Sequence, residues 1–136
     1  MATFPWHKSK TDLFFGDTWV PLVKLRLLSG DGFARSIWFL VDTGAPISLA
    51  RRSVAELLGI QLAAGVRQKL RGVGGGVTTT FVHPVRFELD RRAWTIDIAF
   101  ADSDSVPNLL GRHGVFDQLS FRLDARKKQT TLGRRV

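Results

Sequence analysis

The stretch FLVDTGAPISL, residues 39–49, places a carboxylate at the end of an apolar run. Phe39, Leu40 and Val41 form a strand-like sequence, and Asp42 follows them directly. Burying a carboxylate is costly unless it is paired, hydrogen-bonded or neutralised. Asp42 therefore either caps a turn, for which Asp-Thr-Gly is well suited, or belongs to a site that supplies it with a partner.

The composition is that of one globular domain. The chain has 136 residues, of which 44% are hydrophobic and 24% are charged, enough for a core of its own. It contains no cysteine, which excludes disulfides, thiolate metal sites and cysteine nucleophiles. Residues 1–16 lack the apolar core of a signal peptide, and no uncharged apolar run reaches the ~18 residues of a transmembrane helix. We therefore expect a cytoplasmic protein without a membrane span.

The net charge of +8 favours solubility and the steering of anionic partners, but it does not bear on the fold. Arg67, Lys69 and Arg71 alternate, so they share one face of a predicted strand. We interpret this face as solvated, and the alternative is contact with an anionic partner or with acidic substrates. Because exposed aromatic residues are not interleaved with the cations and no nucleic-acid-binding fold signature occurs, nucleic-acid binding is not expected.

Short strands dominate the predicted secondary structure. Val23, Leu25 and Leu27 alternate with polar residues, which predicts a half-buried strand, and SGDG at 29–32 predicts the turn to a returning strand over 33–41. Further hairpins are predicted around the glycine-rich stretch 71–76 and around the turn 90–92. Residues 1–17 are interpreted as an N-terminal extension or a loosely attached first strand, and residues 18–136 as the domain.

Two short helices interrupt the predicted strands. Val54, Leu57 and Leu58 fall on one helical face, and Gly59 is a suitable C-terminal stop. The segment RHGVFDQLS, residues 112–120, is a candidate for the second helix. Mostly short strands with one or two short helices favour a small all-β barrel or sandwich.

Three features occur in an informative order. Asp42-Thr43-Gly44-Ala45 ends an apolar strand, the glycine-rich hairpin 72–76 lies about thirty residues further on, and PNLLGR occupies residues 107–112. This ordered set resembles the retroviral-type aspartic proteases, the retropepsins, over residues 19 to 125. The resemblance implies an all-β, closed acid-protease barrel that supplies one half of a two-fold symmetric active site.

The chemistry of this family explains why one motif is not sufficient. Amide hydrolysis by carboxylates alone needs two of them, one ionised to accept a proton from water and one protonated to hydrogen-bond the carbonyl. Two carboxylates about 3 Å apart cannot both ionise, as is known for aspartic proteases generally, so they share a proton. The chain has one Asp-Thr-Gly and no second copy. The partner must then come from a second chain, and a C2 homodimer places the two Asp42 residues across its axis.

The resemblance assigns roles to individual residues. It implies that Asp42 is the catalytic residue, that Thr43 hydrogen-bonds across the dimer axis, and that Gly44 lets the backbone approach carboxylate and substrate. Ala45 would line the first subsite, and a flap would cover the peptide or protein substrate with Val73, Gly74, Gly75 and Gly76. Leu110, Gly111 and Arg112, with Leu109, would pack behind the catalytic loop. No metal or other cofactor is implied.

Two residues depart from the family pattern. Pro46 stands where viral members carry the acidic partner of the arginine, and His113 stands where Asp or Asn is usual, which brings the chain closer to cellular or bacterial members. The expected function is an aspartic endopeptidase that activates water between two Asp42 carboxylates. One alternative is a retropepsin-fold dimerisation or peptide-binding module with little or no proteolysis. The other is a basic nucleic-acid-binding β domain, which only the positive net charge supports.

Overall fold

The structure is a computed structural model that describes residues 1–12, 16–72 and 74–134. Strands make up most of this part of the chain. They are β1 (Ala2–Pro5), β2 (His7–Asp12), β3 (Gly16–Val20), β4 (Leu22–Leu28), β5 (Ala34–Val41), β6 (Ser48–Ala50), β7 (Val66–Arg71), β8 (Val77–Leu89), β9 (Arg92–Ala101), β10 (Leu109–Leu110), β11 (Leu119–Asp124) and β12 (Gln129–Arg134). The helical elements are α1 (Arg52–Leu57), a 3₁₀ turn at Leu62–Ala64 and a wide turn at Arg112–Phe116.

Six of these strands close a barrel, which confirms the predicted all-β, closed-barrel fold. The ring runs β4–β5–β10–β6–β9–β8 and returns to β4, where Arg26 pairs with Glu88 and Leu27 with Phe87. The short strand β10 is central, because it pairs in parallel with β5 and antiparallel with β6. It therefore ties the end of β5, where Asp42 follows, into the barrel.

The barrel core follows the alternation in the sequence. Val23, Leu25 and Leu27 are all buried, as the two-residue period predicts for a strand with one face toward the core. Opposite them lie large buried side chains, among them Phe39 and Phe87. Burying each such side chain contributes about 1.5–3 kcal/mol, so this cluster is the main source of stability.

Strand β8 is longer than the sequence indicates, because it runs without interruption through Pro84 and serves two hairpins. Its pairing with β7 ends at Val82, and its pairing with β4 begins at Phe87. Pro84 lies between these two partners, where the missing N–H removes no ladder bond on that edge. The turn from β8 to β9 is the predicted one, with positive φ at Asp90 and Arg91.

Helix α1 forms where it is predicted and ends before Gly59, whose φ of 70° is favourable for glycine. Its buried face differs from the prediction. Ala55 is buried together with Val54 and Leu58, whereas Leu57 is 50% exposed. At about 100° per residue, the face centred on Leu58 includes positions 54 and 55 and leaves position 57 at its edge.

The second predicted helix is reduced to the turn Arg112–Phe116. His113 with ψ 123° and Gly114 with φ 76° are non-helical inside it. A Cβ on Gly114 would lie 3.2 Å from the side chain of Ile96, so the turn packs closely on β9. No helix among the described residues is long and apolar enough to cross a membrane.

The two ends of the chain meet in a separate sheet of order β1–β12–β11. Phe4 packs against the core, and the indole Nε1 of Trp6 donates a 2.9 Å hydrogen bond to the hydroxyl of Thr130. Strands β2 and β3 form a hairpin of their own. The boundary between an extension at 1–17 and a domain at 18–136 stays a prediction, and residues 13–15 lie outside the described part of the chain.

Candidate active site

Asp42 follows the last residue of β5 and is held by β10. Its backbone N–H donates to the carbonyl oxygen of Leu110 at 3.0 Å, one step beyond the parallel pair formed by Val41 and Leu110. The side chain of Leu110 is fully buried. The carboxylate-bearing residue is thus attached to the rigid wall of the barrel, with its own side chain only half-buried.

The Asp-Thr-Gly sequence forms a tight turn. The N–H of Gly44 donates to Oδ1 of Asp42 at 3.0 Å, and the N–H of Ala45 donates to the Asp42 carbonyl at 3.1 Å. A Cβ on Gly44 would lie 3.2 Å from Oδ1, so glycine permits this close approach. Within residues 1–12, 16–72 and 74–134, no second donor reaches the Asp42 carboxylate. Asp42 therefore caps the turn through Oδ1, and its carboxylate can still accept a further hydrogen bond from another group.

Gly111 and Arg112 lie directly behind this turn. The N–H of Arg112 donates to the Ala45 carbonyl at 2.9 Å, and the N–H of His113 donates to the Pro46 carbonyl at the same distance. A Cβ on Gly111 would lie 2.5 Å from the carbonyl group of Ile47, so any side chain there would force the turn to shift. The segment 109–112, which the sequence analysis places behind the Asp-Thr-Gly turn, is therefore in contact with it.

Arg112 has a partner that the sequence does not predict. Its Nη1 donates a 2.8 Å hydrogen bond to the carbonyl oxygen of Thr43. His113, the second departure from the family pattern, lies 3.4 Å from the carboxylate of Asp97 through its Nε2. The Arg112 side chain is thus paired with a backbone carbonyl, whereas the family pattern predicts an acidic side chain as its partner.

Two further polar residues support the turn and were missed by sequence reasoning. The fully buried Ser48 accepts a 3.0 Å hydrogen bond from the N–H of Gly111. Asn108 accepts from the N–H of Arg51 at 2.9 Å and donates to the Trp38 carbonyl at 3.2 Å. Polar residues inside the apolar stretches ISLA and VPNLL were the available signal, because buried polar groups require partners.

The glycine-rich stretch is the tip of a two-stranded arm. Strands β7 and β8 pair from Val66↔Val82 to Arg71↔Val77, and β7 has no other neighbour among the described strands. At the tip the N–H of Gly72 donates to the Gly76 carbonyl. Gly74 and Gly75 have φ of 88° and 85°, which favours glycine at both positions. Val73, predicted as a substrate-binding residue, lies outside the described residues.

The arm and the Asp42 turn are separate in the single chain. In the described part of the chain, no hydrogen bond joins residues 72–76 to residues 42–45. Two clefts of about 490 and 470 Å³ lie around Gly30 and Gly59, and none of their described lining residues belongs to the Asp42 turn. One chain therefore presents Asp42 on an open surface.

Comparisons with known proteins agree with this geometry. A family model described as aspartyl protease matches residues 25–113, well over half of the chain. No curated protein matches the chain.

Two solved structures share the fold. The EIAV protease complexed with the inhibitor HBY-793 is 24% identical with a TM-score of 0.52, and the match covers 75% of this chain and 88% of that one. A retropepsin-like aspartic protease from Rickettsia conorii is 20% identical with a TM-score of 0.57, covering 82% and 98%. The family match and the shared barrel together show that this chain belongs to the aspartyl protease family and has the retropepsin-like fold.

Proposed function

We propose that the chain is an aspartic endopeptidase that works as a homodimer with one active site on its two-fold axis. Membership of the aspartyl protease family supports peptide hydrolysis in general. The observation that carries the finer proposal is the state of Asp42. Its carboxylate is positioned by one internal hydrogen bond and is left half-exposed on an open surface. A second copy of the same turn supplies the partner that this carboxylate needs.

In the proposed site two Asp42 carboxylates share one proton. The ionised carboxylate accepts a proton from a water molecule, whose oxygen attacks the carbonyl carbon of the scissile peptide bond. The protonated carboxyl group donates a hydrogen bond to the carbonyl oxygen and stabilises its developing charge. The carboxyl group that accepted the water proton then transfers it to the amide nitrogen, and the C–N bond breaks to give a carboxylic acid and an amine.

The surroundings of Asp42 support this role through rigidity. Gly44 fixes one carboxylate oxygen, and Leu110 fixes the Asp42 backbone. Gly111 and Arg112 hold the far side of the turn. Positioning of this kind keeps the two carboxylates close to the geometry of reaction, which is where much of the rate enhancement of an enzyme originates. We propose that Thr43 meets its own copy across the axis and that Ala45 lines the first subsite.

The arm is proposed as the flap that closes over the substrate. Its exposed strand β7 and the glycines at positions 74, 75 and 76 support motion of the tip, because glycine tolerates the backbone changes that closure requires. Closure would exclude bulk water from the pair of carboxylates.

The test is cleavage of a mixed peptide pool by the wild type and by Asp42→Asn, from pH 4 to 7, with and without pepstatin. Cleavage that is lost in the variant and blocked by pepstatin is expected. A stable dimer that binds peptides without cleaving them at any pH would instead favour the peptide-binding module.

A further inference from the structure

One face of the arm carries three cations. Arg67, Lys69 and Arg71 are exposed on β7. No acidic side chain pairs with them within the described residues, whereas Arg26 and Arg35 elsewhere in the chain form ion pairs. Three uncompensated positive charges on one short strand create a local field that attracts anionic groups. We refer to these three side chains as the basic face of the arm.

The strand register shows which side the basic face occupies. Directly opposite residues of antiparallel strands share a face, so Arg67, Lys69 and Arg71 lie on the side of Phe81, Thr79 and Val77. Further along the same side of β8 come Val85, Phe87 and Leu89, which are buried in the core. The pairing of β8 with β9 has no register shift between Thr80 and Leu89. The basic face therefore continues the inward, concave side of the barrel wall and not its outer side.

The tip-proximal half of the arm borders a cleft. A volume of about 360 Å³ is lined by Val77–Thr79 on one side and by Asp102, Ser103, Ser105 and Val106 on the other. The second wall leads through Asn108 to Leu110, whose carbonyl holds the Asp42 backbone. The cleft thus lies between the arm and the chain segment that continues to the Asp42 turn.

The acidic residues of the 102–106 segment do not neutralise the basic face, because they are engaged elsewhere. Asp102 lies 3.2 Å from Nη1 of Arg52, and Asp104 accepts a 2.8 Å hydrogen bond from the N–H of Ser53. Both contacts are with the start of helix α1. The cations of the arm consequently remain free to pair with groups supplied by a ligand.

We propose that the basic face selects peptide substrates with Asp or Glu side chains near the scissile bond. This inference rests on the proposed function, in which the arm closes over a peptide held at Asp42. On closure the concave side of the arm turns toward the substrate, and acidic side chains meet Arg67, Lys69 and Arg71. Each exposed ion pair contributes modestly, so the three together give a preference of about tenfold, weakened by salt.

The test compares three peptides that share one scissile sequence and differ only in flanking Glu, Gln or Lys residues. The enzyme forms are the wild type, the arm variant Arg67→Glu/Lys69→Glu/Arg71→Glu, and the control variant Arg86→Glu/Arg92→Glu/Arg126→Glu. The control changes the net charge equally at exposed positions outside the arm. Values of kcat and KM are measured at low and high salt, and circular dichroism checks that each variant is folded.

We expect the wild type and the control variant to cleave the Glu peptide about tenfold more efficiently than the Lys peptide, mainly through KM. We expect the arm variant to reverse this order and high salt to reduce the preference. Equal cleavage of all three peptides by the wild type would overturn the inference while leaving the proposed function intact. Equal effects of the two variants would also overturn it.

If the wild type cleaves none of the peptides, the proposed function fails, and fluorescence anisotropy with the same peptides still tests the inference. Tighter binding of the Glu peptide that is lost in the arm variant alone would support selection by the basic face. Arm-dependent binding of a single-stranded oligonucleotide without any preference among the peptides would overturn it in favour of nucleic acid.

Discussion

Nη1 of Arg112 donates a 2.8 Å hydrogen bond to the carbonyl oxygen of Thr43, so the arginine is joined to the backbone of the Asp-Thr-Gly turn. The N–H of the same residue donates to the Ala45 carbonyl. Arg112 therefore donates hydrogen bonds to the backbone carbonyls on both sides of Gly44. This contact gives the Arg112 side chain a hydrogen-bond partner in a turn where position 46 is a proline.

The first prediction concerns the hydrogen bond between the Arg112 side chain and the Thr43 carbonyl. Arg112→Ala removes the side-chain bond to Thr43 and keeps the backbone bond, so we expect a loss of about 0.5–1.5 kcal/mol in the free energy of unfolding. We expect a larger effect on kcat, because the position of Asp42 becomes less defined. Urea denaturation and peptide-cleavage kinetics measure the two effects. Arg92→Ala, which changes an exposed arginine away from the turn, is the control. Unchanged kinetics in Arg112→Ala would show that the hydrogen bond to Thr43 does not help to position Asp42.

The second prediction concerns the close packing at Gly111. In Gly111→Ala the new Cβ would lie 2.5 Å from the Ile47 carbonyl group, so the turn must shift. We expect destabilisation of about 1–3 kcal/mol, the usual cost of overpacking. Gly72→Ala is the matched control, because its Cβ would have no atom closer than 4.0 Å. Thermal unfolding compares the stability of the two variants, and equal stability would contradict the described packing.

The third prediction concerns acid stability. Hydrogen bonding from the backbone N–H of Ser53 lowers the pKa of Asp104 below its ordinary value of 3.8. Since the folded state lowers this pKa, the ionised group stabilises the fold above the unfolded-state pKa and loses that contribution as the pH falls through the folded-state pKa. Asp104→Ala should therefore reduce stability at pH 7, and the difference from wild type should shrink below pH 3.8.

Urea denaturation at pH 7, 5, 4 and 3 measures this difference. Asp117→Ala, at an exposed carboxylate outside the loop, serves as the control. A difference between Asp104→Ala and wild type that stays constant over the whole range would mean that the carboxylate charge is not what caps the start of α1.

The fourth prediction concerns the buried hydroxyl of Ser48, which accepts the N–H of Gly111. Ser48→Ala leaves that buried donor unpaired, and this should cost about 1–3 kcal/mol. Ser120→Ala is a control because Ser120 is exposed. Hydrogen exchange at the Gly111 amide gives a local readout, and unchanged protection in Ser48→Ala would rule out the assigned bond.

Sequence reasoning succeeded where a feature depends on neighbouring residues alone. The alternation at Val23, Leu25 and Leu27 predicts a strand because the two-residue period is local, and the structure confirms it. The ordered motifs likewise predict the barrel, which the comparisons confirm. The exposed Leu57 was not predicted, because the rotation of a short helix is set by the surface it packs on.

The partner of Arg112 could not be predicted for a different reason. A side-chain partner can be recognised in a sequence by its residue type and its spacing from the arginine. A backbone carbonyl is present at every position, so the sequence does not show which one accepts the hydrogen bond. The continuity of β8 through Pro84 could not be predicted either, because it depends on where the pairing with β7 ends and the pairing with β4 begins. The roles of Thr43, Ala45 and the glycines of the arm stay predictions.

Subunit mixing is the most direct test of whether two Asp42 residues form one site. A fixed amount of wild-type enzyme is equilibrated with increasing amounts of Asp42→Asn, and an equal excess of an unrelated protein serves as control. Freely exchanging dimers need two intact carboxylates, so a tenfold excess of the variant should reduce peptide cleavage to roughly a tenth. Cleavage that remains proportional to the wild-type chains, whatever the excess of Asp42→Asn, would mean that a single Asp42 is sufficient and would contradict the shared site.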